Sequence, residues 1–162
     1  MNTIVMLRWL HVIGSTVLLG TGVGIAFFMV MAHRTRDPAL IAHTAAVVVV
    51  ADYLFTATAV VLQPITGAFL VQKVGWGWTH GWIWASIVLY VLTGVFWLPV
   101  IWMQSRMRNL ARAAHLNSES LPRQYFMLFR LWFIFGIPAF LAVLAIIWLM
   151  VAKPPLEFLS WT

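Results

Sequence analysis

The chain reads as four long apolar runs separated by short polar breaks. The first runs from Ile4 to Ala32 and stops at His33-Arg34-Thr35-Arg36-Asp37-Pro38. A helix that crosses a bilayer needs roughly 20 apolar residues. A signal peptide would carry a shorter apolar region of about 7–15 residues ending in small side chains. This run is longer and ends in Phe27-Phe28-Met29-Val30-Met31, so it is expected to stay as a helix of the mature protein. Asp37-Pro38 reads as an N-cap followed by proline at the first helical position. The second span then covers about 38–71, with a break at Pro64, where proline removes a backbone donor and crowds the preceding turn. Unbroken, it would be roughly 50 Å long against a hydrocarbon core of about 30 Å. The part beyond Pro64 is therefore expected to be kinked, tilted or interfacial.

The third span covers about 79–104, with a kink expected at Pro99. Gln104 to Leu116 carries Arg106, Arg108 and Arg112 and reads as an extension of that helix into the cytosol. Asn117-Ser118-Glu119-Ser120-Leu121-Pro122 is a turn. The fourth span covers about 125–152, contains Gly136 and Pro138, and ends at Lys153-Pro154-Pro155.

Composition narrows the class. Of 162 residues, 63% are apolar and 9% charged, whereas a soluble domain carries about 45–50% and about 25%. A soluble globular domain, a disordered tail and a nucleic-acid-binding module are excluded. The net charge of +6 would suggest nucleic acid in a soluble protein, but here the cations flank the apolar runs and mark topology. The loops after the first and third spans carry Arg34, Arg36, Arg106, Arg108, Arg112 and Arg123; the other side has Arg8, Lys73 and Lys153. That bias puts the arginine side in the cytoplasm. Trp9, Trp76, Trp78, Trp82, Trp148 and Trp161 then form an outer aromatic belt. The absence of cysteine excludes disulfides, thiolate metal sites and thiol catalysis.

Ionisable groups inside a span are costly and turn toward the bundle interior, so each is a functional candidate. His11 shares a helical face with Gly14, Ser15, Leu18 and Gly22. The glycines would leave a flat groove suited to a macrocycle whose iron the imidazole ligates. Close helix packing is the other reading, since Gly20 and Gly24 make a GxxxG pattern. His80, at the start of the third span, is either a second axial ligand or an interfacial histidine among tryptophans. Asp52 lies roughly 22 Å into the second span, near mid-membrane. It reads as one half of an ion pair with Arg130, as a proton-relay carboxylate, or as the counter-charge of a cofactor. Thr56, Gln63 and Thr66 continue from it as a polar stripe. Phosphate loops, metalloprotease motifs and serine triads are missing.

Several stretches carry a family resemblance. Ala51-Asp52-Tyr53-Leu54-Phe55-Thr56, Leu62-Gln63-Pro64-Ile65-Thr66-Gly67, Trp97-Leu98-Pro99-Val100 and Trp148-Leu149-Met150-Val151-Ala152-Lys153-Pro154 resemble the bacterial integral membrane family DUF2269 over nearly the whole chain. More distantly, Trp9-Leu10-His11-Val12-Ile13-Gly14 is similar to the opening of HemJ-type protoporphyrinogen oxidases, and the chain as a whole to CopD-type copper-resistance membrane domains. The HemJ-type resemblance implies haem binding at His11 and, more weakly, at His80 in Gly77-Trp78-Thr79-His80. Trp82 stands where that pattern has a lysine, which counts against protoporphyrinogen oxidation.

The expected fold is an all-α bundle of four transmembrane helices with both termini on the outer, periplasmic side of a bacterial inner membrane. The expected function is haem b binding in electron transfer or tetrapyrrole redox chemistry. His11 and His80 would ligate the iron, Gly14 and Gly22 would face the ring, and Asp52 and Arg130 would handle protons or charge. A non-catalytic accessory subunit of a larger membrane complex and a small ion or copper transporter are the alternatives. Beyond the bilayer, the expected partners are a second copy of the chain or such a complex, and not nucleic acid.

Overall fold

The computed structural model describes residues 2–78 and 80–156. Thr79 and Trp161, both used above, lie outside the described residues. Four helices are long and apolar enough to cross a membrane: α1 (Thr3–Thr35), α2 (Pro38–Val74), α3 (Gly81–Leu116) and α4 (Arg123–Ala152). Local chemistry sets their ends. Arg36 closes α1 in the left-handed region at φ 59°, and the Asp37 side chain caps α2 by accepting from Ala39 N at 2.8 Å and Leu40 N at 3.4 Å. Gly75, also left-handed at φ 79°, ends α2; glycine adopts that backbone without the strain a Cβ would add.

The helix does not break at Pro64. It runs on to Val74, and α3 supplies the reason. A proline leaves the carbonyl four residues earlier without its helical partner. That carbonyl is Val60 O, and the Tyr90 hydroxyl of α3 donates to it. Tyr90→Phe is expected to lower stability by about 1 kcal/mol by leaving that acceptor unpaired. Denaturant titration in detergent micelles checks this; an unchanged midpoint would show that Pro64 needs no such support.

The irregularity in α2 lies earlier. Asp52–Thr56 form a π-helical turn, in which the Ala57 N–H bonds to Asp52 O five residues back. Here α2 changes partner: its first part, Pro38–Ala51, packs on both α1 and α3, whereas Ala57–Val74 packs chiefly on α1. Toward the tryptophan end the bundle therefore divides into two pairs, α1 with α2 and α3 with α4, and α1 and α4 touch only slightly. At the arginine end all four helices share one core, built around Met29, Ile41, Met107, Tyr125 and Trp132. A second, smaller core of Val71, Trp82, Ile83 and Leu149 closes the tryptophan end. There Trp76 and Trp82 meet edge to face, with the Lys153 ammonium 4.4 Å from the Trp76 ring centre.

Candidate functional site within the bundle

Between the two cores, where the helix pairs diverge, lies a cavity of about 510 Å³. That is in the range of small-molecule sites. Its wall is apolar except for a small polar group at the π-helical turn. Asp52 is the acid on this wall among the described residues, with Thr56 one turn further along α2. From α3, Thr93, Trp97, Val100 and Gln104 line the cavity at the three- and four-residue spacings that share one helical face. From α4 come Trp132, Phe133 and Gly136.

The polar group is ordered by one glutamine. Gln104 is 1% exposed. With its amide nitrogen turned to α2 it donates to Asp52 Oδ2 at 2.6 Å, and its amide oxygen accepts from Trp132 Nε1 at 3.2 Å. One side chain thus ties α2, α3 and α4 together at the bottom of the cavity. Trp97 and Thr56 flank the carboxylate. Thr56 is buried, and its hydroxyl makes no hydrogen bond that satisfies it among the described residues. A buried polar atom of this kind calls for a partner, and the group beside it is the Asp52 carboxylate.

The cavity has a mouth. Val23 and Phe27 of α1, and Phe133, Ile137 and Leu141 of α4, line it while also being exposed on the outer face of the bundle. Because α1 and α4 stand apart beside the cavity, the mouth lies between them and faces the hydrocarbon of the bilayer. Gly22 on α1 and Gly136 on α4 also line the cavity, and a Cβ added at either would meet nothing within 4 Å.

The residues singled out from the sequence do not converge. Asp52 and Gly22 are in the cavity wall. His11 is elsewhere, in the α1–α2 contact, where its Nδ1 lies 2.8 Å from Thr66 Oγ1 and its backbone oxygen accepts from Gln63 Nε2 at 3.0 Å. The expected groove beside His11 is filled: Gln63 lies against Gly14, closely enough that a Cβ there would collide with Nε2, and a Cβ on Gly67 would come within 3.4 Å of the imidazole. Gly14 and Gly22 therefore belong to different surroundings. A planar macrocycle does not fit beside His11 in this packing, since Gln63 occupies the place it would take. His80 is exposed at the N-cap of α3, with Nδ1 2.7 Å from Gly77 O, and it shares no contact with His11. No group of three or more metal-ligating His, Asp or Glu residues occurs among the described residues. Arg130 is exposed and lies in a separate cleft with His33 and Arg36, so it does not meet Asp52.

Sequence reasoning missed Gln104 and Trp132. Gln104 falls at the boundary between an apolar run and an arginine-rich extension, where a glutamine looks like the start of the solvated part. Its seven-residue spacing from Trp97 was the available signal, since i and i+7 share a helical face.

No curated protein and no solved structure matches the chain. A profile for the family described as "Predicted integral membrane protein (DUF2269)" matches residues 5–154. The chain therefore belongs to the DUF2269 family of integral membrane proteins.

Proposed function

We propose that the protein binds a membrane-soluble amphiphile in the cavity between α1 and α4, with the polar head of the ligand at Asp52 and Thr56. The observation that carries this is the pairing of a lateral mouth with a polar floor. A carboxylate, with the Thr56 hydroxyl beside it, lies at the bottom of an otherwise apolar cavity that opens toward lipid. An apolar tail would enter from the bilayer between Val23, Phe27, Phe133 and Leu141. A head with a hydrogen-bond donor would bond Asp52. Trp97 and Trp132 on the wall near Asp52 favour a flat aromatic head, since aromatic pairs contribute about 0.5–1.5 kcal/mol beyond burial.

A long-chain alkylphenol is a probe of this chemistry. Calorimetric titration into the protein in phosphatidylcholine nanodiscs is expected to show saturable binding. Gly22→Leu with Gly136→Leu should abolish it without loss of fold, because both positions are helical and face open space. Binding that survives filling the cavity would overturn the proposal.

Haem b at His11 stands as a second reading, supported by one feature. The Thr66 hydroxyl has a single proton, which it donates toward Leu62 O at 2.8 Å, so it accepts from His11 Nδ1–H and leaves the lone pair on Nε2. That is the tautomer a metal-bound imidazole needs. Ligation would require Gln63 to move off Gly14. An absorption spectrum of the same preparation separates the readings: a Soret band lost in His11→Ala would favour haem, and a featureless spectrum would leave the amphiphile.

A further inference from the structure

A second cleft lies at the arginine-bearing end of the molecule. It has a volume of about 270 Å³ and is lined by His33 and Arg36 from the end of α1 and by Phe126, Phe129 and Arg130 from α4. No carboxylate lines it. Of the nearby acids, Asp37 is engaged in capping α2, and Asp52 is held by Gln104 in the other cavity. Two guanidinium groups thus share a cleft with no anion among the described residues.

The cleft is held in shape rather than formed by free side chains. His33 stacks on Phe129 with ring centres 3.7 Å apart and planes 7° from parallel. Its Nδ1 lies 3.3 Å from the hydroxyl of Tyr125, which is fully buried. The Arg36 guanidinium sits over the Phe126 ring at 5.0 Å, a cation–π contact that fixes its plane. Arg36 also takes the left-handed backbone at φ 59° that ends α1. A non-glycine residue accepts that conformation only when its surroundings enforce it. Arg130 is one helical turn from Phe126 on α4 and projects on the same face. The stacked aromatics form an apolar back wall, and the two arginines flank its edge.

We infer that this cleft binds a phosphate-bearing anion, with Arg36 and Arg130 on its oxygens and its apolar part against Phe126 and Phe129. Guanidinium forks match phosphate oxygens in geometry as well as charge. The arginine bias places this end at the cytoplasmic leaflet, where anionic phospholipids concentrate and basic pockets between helices take up headgroups. A phospholipid headgroup and free phosphate share this chemistry. The site is separate from the Asp52 cavity, so neither proposal depends on the other.

The test uses the full chain in detergent micelles. Native mass spectrometry reads retention of phosphatidylglycerol against phosphatidylcholine, and a thermal-shift assay with inorganic phosphate reads the free anion. The wild-type protein is expected to retain phosphatidylglycerol preferentially. Arg36→Asn with Arg130→Gln should reduce that retention roughly tenfold or more, asparagine being chosen because it tolerates left-handed backbone. Arg106→Gln with Arg112→Gln removes the same charge from the same end and should leave retention unchanged. Unaltered circular dichroism in both variants shows that folding is intact. A phosphate-induced shift lost only in the Arg36/Arg130 variant would assign free phosphate as the source. The inference is overturned if wild type shows neither lipid preference nor phosphate shift, or if both double variants lose binding equally.

Discussion

Asp52→Asn is expected to weaken alkylphenol binding in the cavity by roughly tenfold to hundredfold, while the protein remains folded. Asparagine keeps the size of the side chain and an oxygen that can accept from Gln104. What it loses is the second carboxylate oxygen as an acceptor for the head of the ligand. A hydrogen bond to a carboxylate contributes about 1.5–3 kcal/mol, which converts to that range of affinity. Titration calorimetry in nanodiscs measures the affinity, and circular dichroism shows whether helix content holds. Equal affinity in the variant would remove Asp52 from the site and leave the cavity as a purely apolar one. The comparison with the Gly22/Gly136 variant is informative. Filling the cavity should remove binding of tail and head together, whereas Asp52→Asn should affect only ligands whose head can donate. A tail-only analogue such as a long alkane should bind wild type and Asp52→Asn alike.

Gln104→Leu should be the most destabilising single substitution among the polar side chains of the bundle. Leucine fits the volume but leaves two buried groups unpaired: Asp52 Oδ2 loses its 2.6 Å donor and Trp132 Nε1 its 3.2 Å acceptor. Orphaned buried polar groups cost about 1–3 kcal/mol each. In a bilayer the unfolded helices also find partners, which lowers the measured cost. A net loss of about 1–3 kcal/mol follows from these two terms. Removing Asp52 as well should recover only its share of that loss, because Trp132 Nε1 stays without its acceptor; Asp52→Leu with Gln104→Leu tests this as a double-mutant cycle. If the single substitution is as stable as wild type, the three-helix tie through Gln104 has no energetic role. The double variant should also lose alkylphenol selectivity, since the floor of the cavity would then be apolar.

Which features were legible in the sequence follows from the range of the forces that set them. Helix length and apolarity are local and additive, so the four spans could be read directly, as could the Asp37 cap and the arginine-rich continuation of α3. The burial of Asp52 in the bundle followed from the cost of an ionisable group within a span. Pro64 was misjudged for a non-local reason: proline frees a carbonyl in any helix, but only a neighbour decides whether that carbonyl stays unpaired, and the neighbour is Tyr90, thirty positions away. His11 shows the same limit. Its glycine-rich face was visible as a groove, yet a groove on one helix is either a site or a seat for another helix. Gln63 takes that seat.

The sequence by itself determined the class of the molecule, the number and approximate length of its helices, and the short set of polar residues placed among them, because hydropathy and capping act within a few residues of chain. Only the tertiary structure decided how that set was divided. The π-helical turn at Asp52–Thr56 hands α2 from α3 to α1, and this handover parts the helix pairs and creates the cavity with Asp52 at its base. Helix packing likewise places His11 in the α1–α2 seam and Arg130 in the arginine-end cleft. Those outcomes depend on side chains that meet across helices, and no pattern along a single helix encodes which face a neighbour will cover.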